Sequence, residues 1–204
     1  WTIAQGLTLE SSLNVEVSRI TNNYPFSPKR TYIYPKPRAD LRYNVTPSDQ
    51  VRISAEKTIS QLQFGNFVPS FDVVDSEIDA GNPDLKPEKA WVFEAGYEHR
   101  LPGDQGRIDV RGFYNAITDH IDKFIIRTEA NGQRVSASGN IGNAKLYGAE
   151  ARLGLRLGMI GLPDATVDLR YLRNFSSTND AFTGQKRQMR LPWDSELSLG
   201  FRHE

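Results

Sequence analysis

The side chains able to do covalent or metal chemistry are few and scattered. The 204-residue chain has three histidines, His99, His120 and His203, too far apart in sequence to suggest a ligand set. It has no cysteine, which excludes thiolate nucleophiles, thiolate zinc sites and a disulfide scaffold. No Gly-x-Ser-x-Gly elbow, phosphate loop or dinucleotide fingerprint occurs. No catalytic residue, cofactor or metal is therefore expected, and the chain reads as a non-enzyme. Lys plus Arg (25) balances Asp plus Glu (25), so nothing in the net charge points to a nucleic-acid partner.

What remains is charge ordered by position. Glu94, Glu98, Arg100, Arg107, Asp109 and Arg111 fall on alternate residues of two neighbouring runs, and Glu150, Arg152, Arg156, Asp168 and Arg170 repeat the arrangement. Mixed-sign ladders of this kind suit a wet wall with cross-strand pairing.

The elements that must carry them are strands. Period-two alternation of apolar and polar residues appears in eight runs, centred on 7–17, 41–45, 51–55, 91–97, 108–112, 147–157, 167–171 and 197–201. One run is expected to be continuous from Gly139 to Gly158. Connections alternate between short (46–49, 101–106, 158–164) and long (21–31, 63–87, 119–139, 176–190). Consecutive antiparallel strands put every second connection on one side, so one rim has tight turns and the other long loops. Outer-membrane barrels have this asymmetry, and it makes the first strand run outward. No stretch approaches the roughly 20 apolar residues of a membrane helix, but a barrel strand is apolar on one face only and escapes that test. Trp1, Tyr24, Tyr32, Tyr34, Tyr43, Trp91, Tyr97, Tyr114, Tyr147, Tyr171 and Trp193 lie near run ends, where interfacial girdles are expected.

The predicted fold is all-β: a transmembrane antiparallel β-barrel, of which residues 1–204 supply about eight consecutive strands as one partial domain. Alternation runs into both chain ends, so the expectation is an excerpt of a wider barrel. A spanning sheet cannot leave open edges in lipid.

Two ordered motifs carry a family resemblance. Asn82-Pro83-Asp84-Leu85-Lys86-Pro87-Glu88 leads into Trp91-Val92-Phe93-Glu94-Ala95-Gly96-Tyr97-Glu98. After Gly112-Phe113-Tyr114-Asn115 and Ile121-Asp122, a second stretch contains Asn140, Gly142, Ala144, Gly148 and Glu150 at Asn-x-Gly-x-Ala-x-x-x-Gly-x-Glu spacing. Together they resemble the TonB-dependent outer-membrane receptors, over the C-terminal part of the β-barrel. That resemblance implies a barrel of about 22 strands with a plug inside, in the outer membrane of a Gram-negative bacterium. It implies binding of a ferric siderophore, vitamin B12 or a carbohydrate, and import driven by the TonB complex. The plug domain and TonB box are not in this chain, so the implied partners here are outer-membrane lipid and a small nutrient.

The motif residues are expected to be structural, with Lys86 and Glu88 pairing at the rim. Ligand contacts are expected in two long loops: Phe64, Phe67, Phe71, Asp72, Asp75 and Glu77 in one, and Phe175, Asp180, Phe182, Lys186 and Arg187 in the other. The rival readings are a passive porin or barrel enzyme, and a soluble all-β binding module.

Overall fold

A computed structural model describes residues 2–21, 29–62, 64–72 and 77–203, apart from the side chains of Ile20, Phe64, Asp72 and Glu77. The strands are β1 (Thr2–Ala4), β2 (Leu7–Ile20), β3 (Arg30–Asn44), β4 (Asp49–Ile59), β5 (Ser70–Asp72), β6 (Glu77–Asp79) and β7 (Lys89–Arg100). They continue with β8 (Gly106–Thr118), β9 (Ile121–Thr128), β10 (Arg134–Asn140), β11 (Ala144–Arg156), β12 (Ala165–Asn179), β13 (Lys186–Arg187) and β14 (Ser195–His203). The eight alternating runs all become long strands.

One antiparallel sheet follows the order β1-β2-β3-β4-β7-β8-β11-β12, with β14 paired along the turn end of β12 and β13 at its loop end. Each long strand pairs with its neighbour in sequence, as a barrel wall requires. Among the described residues, β1 and β14 are not paired to each other, so the chain forms an open wall.

The register keeps one parity on each face. Leu9, Leu41, Ile53, Ala95, Gly112 and Ala149 lie opposite one another across six strands. Glu10, Asp40, Ser54, Glu94 and Phe113 do so on the other face. The apolar face is not a core: Leu197 and Leu199 are 70% and 74% exposed, whereas Leu85, in the outer connection, is 1% exposed. Each such side chain forgoes about 1.5–3 kcal/mol of burial in water, which a hydrocarbon solvent restores.

Several details depart from the sequence reading. β1 precedes the first run and pairs back on β2 through a turn at Gly6, whose φ of 76° is open to glycine. The expected 139–158 run is two strands: β10 leaves the wall, and β11 enters it after a break at 141–143. The long connections are not bare loops. β5, β6, β10 and β9 form a second sheet, in which β10 pairs parallel to β6 and joins two connections far apart in sequence. Finally, β3 runs straight through Pro35 and Pro37, paired to β2 throughout. Its ladder to β4 stops at Arg38–Glu56, where the prolines begin and have no N–H to offer.

Tyr32 and Tyr34 prove to share the polar face with Glu16 and Ser18, stacked 5.7 Å apart, rather than joining an outer girdle. Trp1 and Tyr24 lie outside the described residues.

Candidate functional site

The polar face is organised around two buried carboxylates. Asp40 (2% exposed) accepts from Arg42 Nε at 2.9 Å and from Arg52 Nε at 2.7 Å, with Arg38 3.9 Å away. Glu150 (3% exposed) accepts from Arg111 at 2.5 Å, from Arg152 at 2.9 Å and from Arg170.

The two clusters share a design. An acid and an arginine two residues on lie on an inward strand, and that arginine stands directly opposite another on the next strand. The opposed pairs are Arg42–Arg52 and Arg152–Arg170. Like charges directly opposite are destabilising unless a carboxylate lies between them. The uncharged partners across from the acids, Ser54 and Leu172, leave room for the diagonal reach. β7 and β8 hold a looser version: Arg100 faces Arg107 and Glu98 faces Asp109, and each arginine turns to the acid on its own strand at 2.7 and 2.8 Å. Between the clusters, Gly96 floors a hollow of about 290 Å³ lined by Arg52, Glu94, Asp109, Arg111 and Glu150. Asp168, expected in these ladders, has no ion-pair partner among the described residues and sits opposite Gly154 and Gly200.

The two sequence motifs meet at the outer rim. Asn140 accepts the Lys86 N–H at 2.9 Å and donates to the carbonyls of Lys86 (2.9 Å) and Asp119 (2.7 Å). Asn82 accepts the Asp84 N–H and donates to the Ser138 carbonyl at 3.0 Å. Glu88 accepts the Ile121 N–H at 3.1 Å and bonds His120 Nδ1 at 2.6 Å. The expected Lys86–Glu88 pair is thus replaced by Glu88–His120, because the returning connection brings His120 to the strand mouth. Leu85, Pro87 and Ala144 are buried, while Pro83 and the Lys86 side chain are exposed. Gly142, at φ 103°, accepts the His120 N–H through its carbonyl. A Cβ at Gly148 would lie 2.1 Å from the Arg173 carbonyl oxygen, so no other residue fits there.

The expected ligand residues separate. Phe67 lines a hollow of about 370 Å³ with Glu16, Tyr34, Leu62 and Pro87. Phe71, on β5, is exposed. Phe182 meets Phe124 edge-on at 5.6 Å, and Arg187 pairs with Asp122 and with Asp180 at 3.4 Å. The 119–143 and 180–194 connections are therefore docked on each other. Lys186 is exposed. Asp180 accepts the N–H groups of Thr183 and Phe182, which hold its carboxyl below the ordinary value. Phe175 is corrected: it lies in β12 on the apolar face, stacked on Tyr147 at 5.6 Å, because β12 runs on to Asn179. Asp75 and the side chains of Phe64, Asp72 and Glu77 lie outside the described residues. The sequence reading places Tyr34 in a girdle and Asp122 in a family stretch and gives neither a part in the site, because their partners come from distant segments.

Among the described residues, no group of His, Asp and Glu is arranged to hold a metal. The family described as TonB dependent receptor-like, beta-barrel, matches residues 1–201. Curated proteins give no match. The copper transporter OprC superposes with a TM-score of 0.69 at 15% identity, over 100% of this chain and 32% of that one. The siderophore receptor PirA from Acinetobacter baumannii does so with 0.65 at 15% identity, over 99% and 29%. Its namesake from Pseudomonas aeruginosa gives 0.63 at 13%, over 85% and 32%. The chain thus spans about a third of the length of these structures, and at such identities the likeness concerns the fold.

Proposed function

The chain belongs to the TonB-dependent receptor family, as part of its β-barrel in the outer membrane of a Gram-negative bacterium, and from that premise we propose that it forms one side of an active importer. The cargo is a scarce small nutrient: a ferric siderophore, vitamin B12 or a carbohydrate. The barrel closes at about 22 strands with segments outside this chain, and the TonB complex supplies the energy through other parts of the protein. No bond is broken in the cargo.

The observation that carries this reading is the division of the wall. One face is apolar and unsupported by any core, and the other carries charge that is largely paired, in clusters around Asp40 and Glu150. Such paired charge keeps a path wet while leaving few free charges to trap what passes. The joined outer connections, with Phe67, Phe71, Phe182, Lys186 and Arg187, are the proposed place of first contact. A soluble module would leave the apolar face in water, which its exposure makes costly.

Uptake by cells carrying the intact receptor tests this. Labelled ferric siderophores, cobalamin and maltooligosaccharides are offered to cells with and without functional TonB. Accumulation of one class that requires both receptor and TonB is expected. Receptor-dependent accumulation that persists at full rate without TonB would establish a passive pore instead.

A further inference from the structure

Cations are treated differently on the two faces of the wall. On the polar face Arg42, Arg52, Arg111, Arg152 and Arg170 each meet a carboxylate. Strand parity places Arg19, Lys57, Lys89, Lys145 and Arg173 on the apolar face; Lys89 pairs with Asp119 at 2.6 Å, and among the described residues the other four have no acidic partner. Along the long strands that face carries a single acid, Asp49, at the turn end of β4. The four cations all lie toward the loop ends of their strands. The apolar face is therefore positive where it meets the outer leaflet, and among the described residues only Lys89 is balanced there.

The surroundings are those of a bilayer interface. Lys57 stands opposite Trp91, and Trp91 stacks on Phe93 at 6.2 Å. Tyr114, Tyr147 and Phe175 form a row across three strands, with the Arg173 guanidinium 5.2 Å from the Phe175 ring centre. Aromatic rows mark the headgroup level of a membrane. Beside them a shallow apolar hollow of about 570 Å³ is floored by Ala39, Ala55, Ala95 and Gly112. Its small side chains make it a shallow trough.

We propose that the loop-end half of the apolar face binds phosphate-bearing lipids of the outer leaflet. Lys57, Lys145 and Arg173 hold the phosphates, the aromatic row backs the headgroup, and an acyl chain lies in the trough. Each cation held at a bilayer interface favours an anionic headgroup, and several unpaired ones on one strip add their preferences. The inference rests on the membrane placement of the chain and not on what the receptor carries.

The test uses the intact receptor in phosphatidylcholine nanodiscs doped with brominated phosphatidic acid or with brominated phosphatidylcholine. Quenching of Trp91, obtained by difference from a Trp91→Phe protein, reports which lipid occupies the strip. Brominated phosphatidic acid should reach half-quenching at a mole fraction at least about fivefold lower. Combining Lys57→Gln, Lys145→Gln and Arg173→Gln should bring the two curves together, with heat-modifiable mobility confirming a folded barrel. If the combined variant does not fold, Lys57→Gln and Lys145→Gln singly should each narrow the gap. Coincident curves for the unaltered protein, or a preference that survives the substitutions, overturns the proposal. TonB-dependent uptake is measured in parallel: its absence with lipid selectivity intact removes the transport reading and leaves the lipid strip standing.

Discussion

The Asp40 and Glu150 clusters place the same parts in different company. Both set a buried carboxylate between two arginines that face each other on adjacent strands. On the remaining side, Asp40 faces Glu10, a like charge, whereas Glu150 faces Arg111, an opposite one. The satellites are alike, since in each cluster two arginines have a second acid and one has none. Arg38 and Arg42 have second acids within reach, Glu56 at 3.0 Å and Glu10 at 3.5 Å. Arg111 and Arg170 have Glu94 and Glu196, both at 2.8 Å, and among the described residues Arg152 pairs with Glu150 alone, as Arg52 does with Asp40. The lesson is that burial of an acid does not measure its importance; the charge it faces on the neighbouring strand does.

Glu150→Ala should break the comparison most severely. It leaves Arg152 opposite Arg170 with no carboxylate between them, at a cost of about 3 kcal/mol after allowing for their partial exposure. Heat-modifiable mobility of the intact receptor against urea should show the loss. Asp40→Ala should cost less, about 1–2 kcal/mol, because it relieves the like-charge contact with Glu10, although Arg52 loses its acid as Arg152 does in the other cluster. Equal midpoints for the two variants would show that relief of the Glu10 contact does not offset the loss of Asp40. The smallest effect on the wall should come from Asn140→Ala. It removes three hydrogen bonds at the rim, worth about 1–2 kcal/mol locally. Hydrogen exchange should quicken in β9 and β10 while β8 and β11 keep their protection. Quickening of the wall as well would mean the rim and the wall fold as one unit.

These differences set the limit of what was legible beforehand. The eight wall strands and the turn-and-loop asymmetry could be read because strand parity is local: each residue's neighbours two positions away reveal its face. The charge ladders were legible for the same reason. The break at 141–143 was not, since β10 and β11 both alternate and only the pairing partners separate them. Phe175 was misplaced because a strand that continues past the lipid boundary looks like the start of a loop. The Lys86–Glu88 pair was a neighbour's guess; His120 arrives from 32 residues away. No repeat was visible along the chain, yet the acid–x–arginine unit recurs on β3, β7 and β11, facing an arginine on the following strand each time.

The order of residues by itself determined the two faces of the wall, the direction of each strand and the family, because these depend on composition at fixed short spacing. The fold alone decided which arginines oppose each other, and that two distant connections share a parallel pair. Those outcomes depend on register, and register is set where whole strands meet, with cross-strand partners that may be tens of residues apart.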